Sequence, residues 1–164
     1  MRLLNYVCAI VILAELQKKF RVAYRRGSLM IELIKHDEPL RWNEIVDSYK
    51  NADVYYTCEY AVSLMSSEEG IPYLLSYTGS GCRLCYTVVE TDIADSEKFR
   101  QSIRRGEFFD WSTPYGYGGP LTDDNDLTLR QQNEFKEELF EFARKRGVVS
   151  QFLRFHPILQ NQRV

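Results

Sequence analysis

A helical pattern between Leu127 and Arg146 constrains the fold of this chain most. The apolar residues that recur at the spacing of one helix face are Phe135, Leu139, Phe142 and Ala143. Gly147 follows as a terminating residue, and basic residues fill the last turn, as the helix dipole favours. Val148 to Phe155 then predicts a final strand, which Pro157 ends.

A β-hairpin is predicted in the middle of the chain. Ile71 to Tyr77 and Cys82 to Val89 are β-rich runs, joined by the four-residue loop Thr78-Gly79-Ser80-Gly81. Glu107 to Trp111 is a further strand candidate, whereas the polar segment from Asp95 to Arg105 indicates either a helix or a loop.

Two shorter helices are predicted before the hairpin. The first has apolar residues at i, i+3, i+4 and i+7, namely Trp42, Ile45, Val46 and Tyr49. Val54 to Thr57 predicts a short extended piece, and Glu59 to Ser66 a second helix that directs Tyr60, Leu64 and Ala61 inward. Helices, hairpin, strand, long helix and strand in this order predict an α+β fold, with helices against a mostly antiparallel sheet.

The first 40 residues are interpreted as an N-terminal extension, and residues 41–164 as one domain, a length that suits a single core. Ser28 to Ile34 is a strand candidate within the extension. The apolar run from Leu3 to Ala14 is shorter than the roughly 20 residues that span a bilayer, and no convincing cleavage site follows it. We expect this run to form a helix or an extension outside the essential fold, in a cytoplasmic protein without stable membrane insertion.

Charge and cysteine usage exclude several function classes. A net charge of −2 argues against DNA binding, which needs a basic surface. Four cysteines are too few for a disulfide scaffold and indicate a reduced, intracellular protein. Cys82 and Cys85 have the CxxC spacing of zinc and redox sites, but they lie in a predicted strand, and neither Cys58 nor His36 belongs to a second ligand pair. We therefore expect no metal.

The segment from Asp110 to Pro120 (DWSTPYGYGGP) is the most unusual part of the chain. Its glycines, Gly116, Gly118 and Gly119, permit positive φ and close backbone approach, and prolines stiffen both ends. Such a loop directs backbone N–H groups at an oxygen, and Tyr115 and Tyr117 suit stacking on a sugar ring or hydrogen bonding to it. The alternative is a tight connection whose tyrosines only cap the core.

A second candidate segment, Arg154-Phe155-His156-Pro157, lies where the last strand opens into a loop. Imidazole is the usual acid–base group near neutral pH, and guanidinium binds carboxylate or phosphate. A salt-bridged structural corner is the alternative interpretation. The sequence contains no recognisable nucleophile triad, P-loop or dinucleotide fingerprint.

From about residue 41 onward, the chain resembles bacterial FemAB-like proteins of the GNAT superfamily. The strings that carry this resemblance are RWNE at 41–44, DVYYT at 53–57 with EY at 59–60, TPYGYGGP at 113–120, and VVSQFLRFHPIL at 148–159 with Asn161. PYGYGGP and RFHP, in this order around a long helix, are the most specific of them.

The resemblance implies a GNAT-like half-domain and an acyl- or aminoacyltransferase of cell-envelope biosynthesis. The acceptor would be an amino sugar or a peptidoglycan precursor, and the donor acyl-CoA or aminoacyl-tRNA. In this interpretation Tyr115, Gly116, Tyr117, Gly118 and Gly119 hold the acceptor. Arg154 would contact an anion, and His156 would be the base or an orienting donor.

The chain departs from the family in lacking its second half and the Gln/Arg-x-x-Gly-x-Gly/Ala loop that binds CoA pyrophosphate. We therefore expect no cofactor on this chain alone, and donor binding only with a second GNAT-like half or in a homodimer. The alternatives are a non-catalytic saccharide- or peptide-binding module and a truncated, inactive fragment.

Overall fold

The computed structural model describes residues 8–12, 31–65, 70–123 and 127–163. Within these ranges the fold is α+β, with seven strands in one mixed, mostly antiparallel sheet and three α-helices. In chain order the elements are β1 (Cys8–Ile12), β2 (Ile31–Lys35), α1 (Pro39–Asp47), α2 (Cys58–Ser63), β3 (Ile71–Gly79), β4 (Cys82–Asp92), β5 (Phe109–Ser112), β6 (Leu121–Thr122), α3 (Leu129–Arg146) and β7 (Val148–Arg154).

The strands lie in the order β1-β7-β5-β4-β3-β2, and β6 pairs with β4 beyond the end of β5. All neighbours are antiparallel except β5 and β7, which are parallel and are joined through α3. A parallel pair needs such a crossover, because its second strand must begin at the same edge as its first. The carboxyl ends of β5 and β7 therefore lie side by side, and the candidate site begins there.

Two hydrophobic clusters cover the sheet. One contains residues of the hairpin together with α3, for example Tyr77, Leu84, Tyr86, Trp111 and Phe135, all buried. The other contains residues of α1, α2 and the opposite face of the hairpin, for example Ile34, Trp42, Tyr56, Leu74 and Cys85. Successive residues of a strand point to opposite faces, so β3 and β4 contribute to both clusters. No helix within the described ranges has the length and apolar character needed to cross a membrane.

The longest predicted elements are confirmed. Helix α3 begins at a capping box, in which Thr128 and Gln131 bond reciprocally, and ends at Gly147 in the left-handed conformation. The predicted hairpin pairs from Ile71 opposite Glu90 to Gly79 opposite Cys82. The predicted α1 and the final strand also form, with ends shifted by a few residues.

The structure corrects two local predictions. Val54–Tyr56 is a short 3-10 helix rather than an extended piece, because the carboxylate of Asp53 accepts the backbone N–H of Tyr55 and starts a turn. The hairpin loop has two residues rather than four, with positive φ at Ser80 and Gly81. This is the geometry that suits the twist of paired strands. The polar segment after Asp95, predicted as a helix or a loop, forms turns.

The N-terminal prediction is corrected in part. Residues 8–12 were expected in a helix or an extension outside the fold, but they form β1 and pair with β7 through five residues. Ile31–Lys35, within the predicted extension, is strand β2 and pairs with β3. The remainder of the predicted strand, 28–30, lies outside the described residues, as does the end of the second predicted helix at Ser66.

Candidate functional site

The glycine-tyrosine loop connects directly to the last strand. Its first residues, Asp110 to Ser112, belong to β5, so the loop proper begins at Thr113. The N–H of Thr113 donates to the carbonyl of Phe152 at 3.0 Å, and the N–H of Gly118 donates to the carbonyl of Arg154 at 2.9 Å. The segment between them leaves the sheet and returns to it. The loop therefore lies beside the second candidate segment, in contact with Arg154 and His156.

A buried polar network fixes the loop at Gly118. The carbonyl of Gly118 accepts the amide N–H of Asn161 at 2.7 Å and the hydroxyl of Tyr56 at 3.2 Å. Asn161 also donates to the Tyr56 oxygen, and its own carbonyl oxygen accepts the backbone N–H of His156 at 2.9 Å. Burial, followed by the negative charge of Asp53, raises the pKa of Tyr56, so its hydroxyl remains a proton donor. Asn161 is among the residues that carry the resemblance, but it was not predicted as a site residue.

Two glycines of the loop are required for different reasons. Gly116 has a φ of +92°, and a Cβ there would lie 2.7 Å from Cε1 of Tyr55 and 2.9 Å from the hydroxyl of Tyr60. Gly118 was expected to permit positive φ and close backbone approach, and it does not adopt positive φ. A Cβ at Gly118 would instead lie 3.0 Å from Cγ2 of Thr113. The size of the side chain at position 118 is therefore limited by the closeness of Thr113, and not by the backbone conformation.

Four tyrosines, Tyr55, Tyr60, Tyr115 and Tyr117, form what we call the tyrosine cluster. Tyr55 packs edge-on against Tyr60 and Tyr117, with ring centroids 5.1 and 5.4 Å apart. The hydroxyl of Tyr60 donates to the carbonyl of Tyr115 at 3.0 Å, and the Tyr115 side chain is 71% exposed. Among the described residues, the hydroxyls of Tyr55 and Tyr117 have no hydrogen-bond partner, so both are available to a ligand.

Tyr55 and Tyr60 were not predicted as site residues. They lie in the segment 53–60, and the aromatic residues of this segment could have indicated a site there. The 3-10 helix Val54–Tyr56 buries Tyr56 and leaves Tyr55 half-buried beside the loop. Tertiary packing brings this distant segment to the loop, where Tyr55 contacts Tyr117.

Both ring nitrogens of His156 are engaged by the protein. Nδ1 accepts the backbone N–H groups of Ile158 and Leu159, at 3.2 and 3.3 Å. A nitrogen that accepts these donors carries no proton, so the proton is on Nε2, which donates to Oδ2 of Asp53 at 3.0 Å. His156 is 6% exposed. It has no free lone pair for a substrate proton, and its geometry gives no support to the predicted role as a base.

Arg154 holds the start of the loop. Its Nη1 donates to the carbonyl of Thr113 at 2.6 Å and to that of Pro114 at 3.4 Å, and its Cζ lies 4.9 Å from the centre of the Phe152 ring. No carboxylate among the described residues pairs with it, and its other side-chain N–H groups donate to none of these residues. Arg154 therefore positions the loop and retains donors for an anion.

Other predicted chemistry lies elsewhere or is not assembled. Cys82 and Cys85 both lie in β4, as predicted, and face opposite clusters. Burial raises the pKa of Cys85 to about 12, which keeps it a protonated thiol. Across the described ranges, no group of three His, Cys, Asp or Glu side chains is arranged to hold a metal ion. A surface depression near the hairpin tip, lined in part by Arg83 and Asp123, includes no residue of the predicted site.

The chain matches no protein-family model, no curated protein and no solved structure. The resemblance to FemAB-like proteins therefore rests on the strings in the sequence. The structural basis for a function is the geometry of the loop, the tyrosine cluster and the Asp53–His156 pair.

Proposed function

We propose that this chain is the acceptor-binding half of a cytoplasmic N-acyltransferase of GNAT-like fold. In this proposal it binds an amino sugar or peptidoglycan precursor, whose amine receives an acyl or aminoacyl group. One observation carries the proposal: the glycine-tyrosine loop and Arg154–His156 leave the carboxyl ends of neighbouring parallel strands. At the carboxyl ends of these two strands the loops leave the core and expose their side chains, so a ligand can reach them.

The chain would act by positioning the acceptor. In the transfer, the neutral amine nitrogen attacks the carbonyl carbon of the donor, an amide bond forms, the bond to the leaving group breaks, and the proton that the nitrogen loses passes to the leaving thiolate or alkoxide. Holding the amine in the attacking geometry lowers the entropic part of the barrier. Tyr115 offers an exposed ring to the sugar, Tyr117 a free hydroxyl, and Arg154 N–H groups for an anion.

The donor would bind to a second GNAT-like half or to a second copy of this chain. Acyl-CoA and aminoacyl-tRNA are the donors that the family resemblance implies. A pyrophosphate loop needs glycines that open a helix, whereas Arg144-Lys145-Arg146-Gly147 closes α3. The residues that the structure describes therefore do not fit the donor.

The second candidate is a non-catalytic module that binds a saccharide or a peptide at the same loop. The engagement of both nitrogens of His156 favours it, since the site then has no histidine base. Calorimetry with acetyl-CoA, together with a transfer assay, separates the two candidates. Acyl transfer that occurs only after a second GNAT-like half is added supports the enzyme. Acceptor binding without transfer, with or without a second half, supports the non-catalytic module.

Tyr117→Phe is expected to weaken binding of an amino-sugar nucleotide about three- to tenfold, because it removes one hydrogen-bonding group of a neutral pair. The melting temperature should stay near that of the wild type, since the hydroxyl has no partner within the described structure. Titration calorimetry with UDP-glucosamine measures the first quantity and a thermal melt the second.

Tyr77→Phe is the matched control, because it removes a tyrosine hydroxyl from the opposite cluster, beside Phe135. It should leave the affinity unchanged. Equal affinities of wild type and Tyr117→Phe, with a lower melting temperature for the latter, would identify the loop as a structural corner.

A further inference from the structure

We propose that Asp53 and the tyrosine cluster form a subsite for a primary ammonium group, which is the amine of the acceptor before transfer. The inference rests on the proposed function and adds that the site selects a positively charged group on the ligand. It also assigns a role to Asp53, which the predicted site did not include.

The charge of Asp53 has no cationic partner within the described structure. Its Oδ1 accepts the backbone N–H of Tyr55 at 2.9 Å, and its Oδ2 accepts Nε2–H of His156 at 3.0 Å. Each carboxylate oxygen accepts two hydrogen bonds, so one position on each remains open. No lysine or arginine among these residues lies within ion-pair distance of Asp53.

His156 is a positioning residue in this arrangement. Because Nδ1 is held by two backbone N–H groups, the ring is neutral and presents Nε2–H to Asp53. A neutral donor orients the carboxylate without cancelling its charge. The Asp53 side chain is 35% exposed, so the carboxylate is partly removed from water yet reachable. A partly desolvated, unpaired carboxylate attracts a cation more strongly than one in water does.

The neighbouring rings favour the same ligand. The His156 ring, which contacts Asp53, has its centroid 5.4 Å from that of Tyr117 and 6.2 Å from that of Tyr55. Tyrosine rings attract cations through their negative faces. The free hydroxyls of Tyr55 and Tyr117 accept N–H donors. Carboxylate, rings and hydroxyls together match an ammonium group and would disfavour a phosphate at this position.

The test compares a cation with a neutral molecule of similar shape, n-butylammonium with n-butanol, by NMR titration of the full chain. The backbone amide of Tyr55 is the reporter, because it donates to Asp53. We expect butylammonium to bind about tenfold more tightly than butanol, as a charge-assisted hydrogen bond contributes about 1.5 kcal/mol. In Asp53→Asn the ratio should fall to near one.

Two further variants separate charge from folding. Asp53→Ser, like Asp53→Asn, keeps a side chain that caps the 3-10 helix and should give the same loss. Asp92 provides the matched control, since it caps the short 3-10 helix Ile93–Asp95 through Ala94 and accepts the N–H of Gly106. Asp92→Asn should keep the tenfold preference. A ratio near one in the wild type, or a preference that persists in both Asp53 variants, would overturn the subsite.

A second pair of probes, glucosamine and N-acetylglucosamine, connects the subsite to the proposed function. We expect glucosamine to bind more tightly, with a preference that depends on Asp53. If both sugars bind equally through Tyr117, the proposed function stands and the subsite is wrong. If butylammonium binds through Asp53 but no amino sugar or peptidoglycan precursor binds, the subsite stands and the proposed function fails.

Discussion

Glu90→Ala is expected to lower the free energy of unfolding by about 2–4 kcal/mol, because it leaves the buried Nε1–H of Trp111 without an acceptor and removes the ion-pair partner of the half-buried Arg146. Glu90 is 8% exposed. Its carboxylate accepts Nε1–H of Trp111 at 2.9 Å and two N–H groups of Arg146, one of them at 2.8 Å. The pair links β4 to β5 and to the end of α3, so it holds the frame from which the loop emerges. Chemical denaturation measures the loss.

Glu141→Ala is the matched control. Glu141 pairs with Arg144 one turn along the exposed face of α3, at 2.9 Å. Such surface pairs contribute about 0–1 kcal/mol. Equal costs for Glu90→Ala and Glu141→Ala would contradict the assignment of Glu90 as the buried link. Glu90→Gln keeps the shape of the side chain and an acceptor for Trp111, so its loss in free energy of unfolding should lie between those of Glu90→Ala and Glu141→Ala.

Alkaline pH is expected to unfold the protein steeply above about pH 10. Burial raises the pKa of three core tyrosines, Tyr49, Tyr56 and Tyr86, above their ordinary value. A raised folded pKa means that the stabilisation is fully present below the unfolded pKa, roughly 10 for tyrosine, and is lost as pH rises above it. In that range each of these tyrosines lowers the free energy of unfolding by about 1.4 kcal/mol per pH unit, so the three together lower it by about 4 kcal/mol by pH 11.

Urea denaturation at pH 8, 9, 10 and 11 measures this slope. Tyr86→Phe removes one buried phenol, at the expense of its bond to Gln151, and should reduce the slope by about 1.4 kcal/mol per pH unit above pH 10. Tyr115→Phe removes an exposed hydroxyl and should keep the slope of the wild type. A free energy of unfolding that stays constant from pH 9 to pH 11 would contradict the assignment of these tyrosines to the core.

The sequence predicted the elements that local signals define. Helix α3 has apolar periodicity, basic residues in its last turn and Gly147, and the hairpin has two β-rich runs around glycines. Apolar periodicity gives no signal for the 3-10 helix Val54–Tyr56, because this helix is shorter than one period of the helical pattern. Its cap, Asp53, was the available signal. The pairing of residues 8–12 with β7 is set by contacts distant in sequence, which a local pattern does not contain.

The candidate site was predicted in part for the same reason. The loop and the Arg154–His156 segment flank α3, so a helix that returns to the sheet brings them together. The state of His156 depends on where the backbone N–H groups of Ile158 and Leu159 point. That direction is set by the turn after Pro157, and residue type alone does not reveal it. Tyr55 and Tyr60 reach the loop only through tertiary packing.

A crystal structure of the full chain with UDP-glucosamine tests the central claim most directly. We predict that the sugar ring lies within contact distance, about 4 Å, of the Tyr115 and Tyr117 rings, with its ammonium group beside the carboxylate of Asp53. A sugar bound instead in the depression near Arg83 and Asp123, with the tyrosine cluster free, would contradict this claim.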